Sequence, residues 1–154
     1  MNVEMAAVQD AQPILALQKL AYISEAEIHN DYDIDPLKQS LEDLQADFEK
    51  QVFLKVLVSG NIVGSVRGYM DSGTGHIGRL MVHPEFQNQG IGKLLMNGIE
   101  SFFPNAERYE LFTGHKSERN LTFYQKLGYK AFRTERINSN LVLVFLERRS
   151  DGGR

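Results

Sequence analysis

Leu80-Met81-Val82-His83-Pro84-Glu85-Phe86-Gln87-Asn88-Gln89-Gly90-Ile91-Gly92-Lys93 is the stretch on which the reading of this chain turns. A strand ends in it, a Pro-bearing turn follows, and Gly90 and Gly92 open an amphipathic helix carrying Ile91, Leu94, Leu95 and Ile99. The first turn of a helix has unpaired N–H groups and the positive end of the macrodipole. Glycines there let an anion approach the main chain closely. The segment therefore reads as an anion site, with a phosphate or pyrophosphate as its natural ligand. It is not a Walker A loop, which needs GxxxxGK[ST]. Nor is it a Rossmann fingerprint, which needs GxGxxG directly after the strand.

Working outward, residues 2–7 are expected to form a short first strand. A helix follows from Asp10 as N-cap, with Ile14, Leu17, Leu20, Ala21 and Ile28 as its apolar stripe. After a break at residues 29–36, Pro36 suits the first turn of a second helix that carries Leu37, Leu41, Leu44 and Phe48 inward. Strands are expected at 52–58 and 62–70, where Gly64 and Gly68 mark bends or close packing, and at 76–83. Beyond the quoted stretch come a helix at 89–103, a strand at 108–113, and a helix at 118–127 with Gly128 as its C-terminal cap. Two last strands, at 129–136 and 141–147, flank the turn Asn138-Ser139-Asn140.

The order is β-α-α-β-β-β-α-β-α-β-β. Consecutive hairpins require antiparallel pairing, whereas the strand–helix–strand step from 76 to 113 requires a parallel pair. The fold class is therefore α/β of the α+β kind: a mixed, mostly antiparallel central sheet with one parallel pair and helices on its faces. Regular alternation, the mark of a doubly wound fold, is absent. One domain is expected over residues 1–149, with 150–154 as a frayed tail. Leu141 to Leu146 reads as an apolar edge strand, to be paired or covered.

Composition narrows the function. The 154 residues are 42% hydrophobic and 24% charged, which excludes disorder, and the net charge of −3 argues against a nucleic-acid partner. The longest clean apolar run is far below the roughly 20 residues of a membrane span. With no Cys there is no disulfide and no thiolate nucleophile, and four scattered His residues lack metal-ligand spacing, so no metal is expected. The N-terminal residues show no secretory signal, and a cytoplasmic location is the expectation.

The pattern L-x-V-h-P-x-x-Q-x-x-G-x-G over Leu80 to Gly92 resembles the acetyl-CoA-binding motif of the GNAT N-acetyltransferase superfamily. A second segment, Asn120-Leu121-Thr122-Phe123-Tyr124-Gln125-Lys126-Leu127-Gly128-Tyr129, resembles the same superfamily's downstream helix and its N…fYxKxGF/Y ending. The two motifs stand in the family's order, and the element order is similar across nearly the whole chain. The resemblance implies a GNAT-like fold in which a bulge splays the parallel strand pair to admit coenzyme A. It implies that the main chain of Met81 and Val82 contacts the pantetheine arm. It also implies that Gln87, Asn88, Gln89, Gly90, Ile91 and Gly92 hold the pyrophosphate, with Lys93 adding charge. Tyr124 takes the family's general-acid role, protonating the departing thiolate, since a phenol titrates near 10.

Asn120 lies one helical turn before Tyr124 and is a further coenzyme contact by resemblance. The family often places its Asn seven residues before the Tyr, where this chain has Ser117, which reads as a helix N-cap. Relatives carry a Glu before the L-x-V segment, whereas here the positions read Ile77-Gly78-Arg79. Candidates for a general base are then Glu25, Glu27, Asp31, Asp33, His76 and His83, with a water chain as the alternative. The acidic stretch from Glu25 to Glu49 would favour a cationic amine such as a polyamine, a lysine side chain or an aminoglycoside. Arg67 and Arg79 would instead suit an acceptor carboxylate, and the sequence leaves both open. The expected activity is transfer of acetyl from acetyl-CoA to a small-molecule or peptide amine by direct attack, in a chain that can form a homodimer. The rival expectations are a non-catalytic acyl-CoA-binding module and transfer of a longer acyl group.

Overall fold

The computed structural model describes residues 1–150. Its strands are β1 (Val3–Met5), β2 (Val52–Val58), β3 (Asn61–Asp71), β4 (Thr74–Val82), β5 (Arg108–Gly114), β6 (Lys130–Arg136) and β7 (Val142–Arg149). Its α-helices are α1 (Ala11–His29), α2 (Asp35–Lys38), α3 (Leu41–Asp47), α4 (Ile91–Ser101) and α5 (Glu118–Lys126). The seven strands make one sheet in the order β1-β2-β3-β4-β5-β7-β6. Every pairing is antiparallel except β4 with β5. The expected mixed sheet with one parallel pair is the observed one.

Alternation along β2 distributes side chains to two cores. Leu54 and Val56 face the core under α4, which holds Ile91, Leu95, Met96 and Ile99, while Phe53 faces Ile14 and Leu17 of α1 and Leu44 of α3. Each aliphatic side chain buried in this way contributes about 1.5–3 kcal/mol. Gly64 of β3 lies directly beneath Ile91 and Leu95, the close packing expected of it.

β4 breaks the alternation. Ile77 belongs to the core under α4 and Met81 to the core under α1, although residues four apart on a regular strand share a face. The cause is a bulge: Arg67 pairs with Gly78 and Ser65 with Met81, so Arg79 and Leu80 together oppose Val66. Arg79 absorbs the extra residue with φ +50°.

Several expectations need correction. The second helix is two, because Ser40 leaves helical geometry and its Oγ accepts from Asp43 N at 3.1 Å, capping α3. Asp10 stands at the N-cap position of α1, but its carboxylate accepts from Ala7 N and Lys55 Nζ, both at 2.9 Å, and from no helical N–H. Leu20, Ile28 and Leu94 are exposed; the polar Gln18 and His29 take buried places on α1 instead. Leu141 to Leu146 is not an edge, since β7 runs between β5 and β6, and the outer strand is the fully exposed β6. Of the expected tail, Ser150 N donates to Glu107 O at 3.1 Å; the other four residues lie outside the described residues. Among the described residues, no helix is long and apolar enough to cross a membrane.

Candidate active site

The parallel pair is only three residues long. Thr74, Gly75 and His76 pair with Arg108, Tyr109 and Glu110. Beyond them β4 stays on β3 and β5 stays on β7, so the two strands part after His76 and Glu110. A cleft of ≈ 920 Å³ opens between them, lined by Ile77 to Val82 on one side and Leu111 to Gly114 on the other. Strand edges that have lost their neighbour leave main-chain N–H and C=O groups free for a ligand.

At one end of the cleft stands the N-terminus of α4. Its first intrahelical bond runs from Leu94 N to Gly90 O, leaving the preceding N–H groups without helical partners. Gly90 sits at φ +84°, a left-handed conformation in which a Cβ would be strained. Gly92 lets the ring of Phe123 approach, since a Cβ there would meet Phe123 Cζ at 3.2 Å. Lys93, Arg119 and Lys126 also line the cleft, so its lining includes three cationic side chains from α4 and α5. Arg119 donates to Gln87 Oε1 and so ties α5 to the loop before α4.

Tyr124 lies where α5 meets the open strands. Its ring is buried, with an edge of Phe123 5.3 Å away, and it lines the cleft. No buried side-chain N or O atom among the described residues lacks a partner. Because the described residues supply none to the Tyr124 hydroxyl, that hydroxyl opens into the cleft. Burial, with added repulsion from Tyr22 and Glu25, pushes the phenol well above its usual value and keeps it protonated. Asn120, one turn earlier, also lines the cleft and donates to Thr113 Oγ1 at 3.3 Å.

The other end is walled by α1, the loop into α2, and the turn before β7. Glu25 faces the cleft, and its Oε2 accepts from the hydroxyl of buried Ser117 at 2.9 Å. Ser117 thus stands at the N-cap position of α5 but gives its hydroxyl to Glu25, correcting its reading as a capping side chain. One turn along, buried His29 is held by Glu25 O at 2.9 Å and accepts from Lys116 N at 3.1 Å. These bonds pin α1 to the end of β5. Asp31 and Asp33 line the rim, where Asp31 accepts from Asn138 Nδ2 at 2.8 Å.

Met81, Val82, Gln87, Asn88, Gly90, Ile91, Gly92, Lys93, Asn120 and Tyr124 are therefore all on the cleft lining. Ile91 contributes main chain only, its side chain being core. Gln89 is the exception among the motif residues: it is exposed and does not line the cleft. Glu27, His76 and His83 do not line it either; His76 stacks on Tyr69 and His83 Nδ1 accepts from Glu85 N. Arg67 is buried under α1 and bound to Asp47 at 3.1 Å, leaving Arg79 as the arginine of the pair that lines the cleft. Sequence reasoning missed the Ser117–Glu25 bond and Tyr22. The sequence separation of 92 between Ser117 and Glu25 leaves no local signal for it.

Comparison with known proteins agrees with this geometry. PaiA N-acetyltransferase from Thermoplasma acidophilum, solved in complex with coenzyme A, superposes with a TM-score of 0.79 over 97% of this chain and 99% of that one at 17% identity. The ribosomal-protein-S18-alanine N-acetyltransferase from Escherichia coli does so with a TM-score of 0.78 over 96% and 92% at 11% identity. In sequence, the chain is 29% identical over 133 residues to the UPF0157 protein YqkA of Bacillus subtilis (strain 168), covering 86% of this chain and 38% of that protein. It is 33% identical over 79 residues to the N-terminal acetyltransferase B complex catalytic subunit NAA20 of Arabidopsis thaliana, covering 49% and 45%. The chain thus spans less than half the length of these curated relatives. The family model described as acetyltransferase (GNAT) family matches residues 14–129, from the first turn of α1 through Tyr124 to Tyr129, and the chain belongs to that family.

Proposed function

We propose that this protein is an N-acetyltransferase that moves an acetyl group from acetyl-CoA to a primary amine by direct attack in a ternary complex. The observation that carries the reading is the meeting of three features in one cleft. They are the diverging β4–β5 edges, the free N-terminus of α4, and a buried tyrosine whose hydroxyl has no partner among the described residues. Acetyl-CoA fits this donor set. The N–H groups at Gly90 to Lys93, with Lys93, Arg119 and Lys126 on the lining, suit a pyrophosphate. The open edge at Met81 and Val82 suits an extended, amide-bearing arm.

The amine nitrogen attacks the thioester carbonyl, the carbon–sulfur bond breaks, and the ammonium proton has to leave. Glu25 is the group proposed to receive it, because Ser117 holds its carboxylate on the cleft wall. Main-chain N–H groups near Val82 stabilise the developing oxyanion. Tyr124 gives its proton to the thiolate. Burial, then Tyr22 and Glu25, raise the phenol's pKa and so keep that proton on the oxygen until the thiolate forms. No acyl-enzyme is needed, and the chain has no Cys to form one on sulfur.

The test is a thermal-shift comparison of acetyl-CoA, coenzyme A, ATP and NAD, followed by release of coenzyme A thiol over a panel of amines. A ligand at 100 times its Kd stabilises the fold by about 2.7 kcal/mol, an easily read rise in Tm. Stabilisation by the two coenzyme A forms alone, with thiol release on adding an amine, is the expected result. No shift with either would sink the reading. Binding with no release on any amine would point instead to an acyl-CoA-binding module.

A further inference from the structure

Between α1, α3 and the bulge of β4 lies a polar network with two guanidinium groups and one carboxylate. Asp47 Oδ2 accepts from Arg67 Nη1 at 3.1 Å and from Gln39 Nε2 at 2.8 Å. Gln18 Oε1 takes a second bond from Arg67, and Gln18 Nε2 donates to Gln39 Oε1 at 3.0 Å. What reaches Arg79 from this network is a neutral amide oxygen, Gln39 Oε1 at 3.3 Å. Among the described residues no carboxylate pairs with Arg79. Arg79 is nonetheless half-buried, sits at the bulge where the cleft opens, and lines it.

A half-buried guanidinium beside a second one has lost water without gaining a counterion. Its fork of donors is shaped for a carboxylate. From this geometry we infer that Arg79 is the specificity-determining residue of the acceptor site, and that the acceptor is a small amine that also carries a carboxylate, of the amino-acid class. The inference rests on the acetyltransferase reading given above.

The surroundings fit. The side chain of Tyr22 lies on the cleft wall among these groups: burial raises its phenol above the usual value, Arg79 and Arg67 pull against that, and Glu25 adds to it. Glu25 acts in turn on Tyr124. Arg79 and Glu25 thus both line the cleft and both act on Tyr22, the cation on the β4 side and the anion on the α1 side, an arrangement suited to a zwitterion. Of the acidic stretch, Asp47 lies off the cleft lining and is bound to Arg67, and Asp31 is bound to Asn138 and the Asp33 N–H.

The experiment uses matched pairs: α-amino acids and ω-amino acids of two to six carbons, each against its decarboxylated amine, with O-phosphoethanolamine as a separate arm. Rates are read as coenzyme A release, and binding as the Tm shift of the coenzyme A complex. The expected result is a preference of roughly 10- to 100-fold in kcat/KM for the carboxylate-bearing member of at least one pair, carried mainly by KM. In Arg79→Gln that ratio should collapse towards one, and Arg79→Lys should restore part of it. Retained stabilisation by coenzyme A in both variants reports that they are folded. Equal or better use of the decarboxylated amines overturns the inference. So does a ratio that survives in Arg79→Gln, preference for O-phosphoethanolamine, or a coenzyme A-binding protein that neither binds nor acetylates any carboxylate-bearing probe. Failure of the wild-type protein to bind coenzyme A would refute the acetyltransferase reading first, and this inference with it.

Discussion

At the α4 end of the cleft the groups offered to a ligand are mainly main chain, from a run of consecutive residues at Gly90 to Lys93. At the α1 end they are side chains brought from far apart: Glu25 from α1, Arg79 from the bulge of β4, and Tyr22 between them. The first end needs only a helix start and glycines that leave it open, so it tolerates wide change elsewhere in the chain. The second depends on how α1 is seated, and therefore on buried bonds such as Ser117 to Glu25 and Lys116 N to His29. One end is suited to a ligand common to many proteins, the other to a ligand particular to this one. Substitutions at the two ends should accordingly separate in their effects.

The largest effect belongs to the residue at the junction. Tyr124→Phe should lower kcat by about 10²- to 10⁴-fold, the usual range for loss of a positioned acid, with coenzyme A still raising Tm as in the wild type. Burial, then Tyr22 and Glu25, hold the phenol above its ordinary value. Its proton is therefore present throughout the neutral range, and the kcat profile should show no falling limb from this group below about pH 10. Wild-type turnover by the Phe variant would remove Tyr124 from the chemistry.

Next comes the acceptor wall. Glu25→Gln should reduce kcat by about 100-fold, with coenzyme A still raising Tm as in the wild type. Ser117→Ala should reduce it several-fold, because the carboxylate loses the hydroxyl that aims it. The double variant should be little worse than Glu25→Gln alone, since the two side chains act as a unit. Additive losses, or wild-type turnover in Glu25→Gln, would assign the base elsewhere.

The donor end offers the converse test. Gly90→Val forces a β-branched residue to φ +84°, a strain of about 1–2 kcal/mol or more. The expected consequence is a roughly tenfold weaker coenzyme A complex, with an unchanged preference among acceptors. A changed preference would mean that the two ends are coupled.

The same division explains what was legible in the sequence. Gly90, Gly92 and Tyr124 stand in short contiguous motifs, and the hairpin and crossover lengths are enough to place β4 beside β5. The bulge is a different case: its position depends on register with β3, and nothing local in Ile77-Gly78-Arg79 marks Arg79 as the residue at φ +50°. Arg67 and Arg79 looked equivalent, yet one is buried on Asp47 and the other opens to the cleft. Leu141 to Leu146 looked like an edge because strand order in a sheet is a tertiary fact that apolarity alone does not report. The stripe through Leu20 and Ile28 failed because α1 buries Gln18 and His29, polar residues whose partners lie in other elements.

The smallest expected effect is at the rim, where the acceptor end closes. Asn138 Nδ2 donates to Asp31, and Asn140 Nδ2 donates to Asn30 O, both at 2.8 Å, joining the turn before β7 to the end of α1. The Asn138 amide, and after it the Asp33 N–H, hold the Asp31 carboxylate below its ordinary value of 3.8. A carboxylate lowered by folding contributes its stability fully above the unfolded value and loses it as pH falls through the folded one. The rim should therefore hold at every pH above about 4, leaving the acceptor KM free of any limb from Asp31 in the neutral range. Asp31→Asn removes the charge at all pH values and should raise the acceptor KM about two- to threefold, with coenzyme A affinity unchanged, as suits an exposed interaction. If the variant instead weakened coenzyme A binding and left the acceptor KM alone, the rim would belong to the donor end, and the division of the cleft drawn here would be wrong.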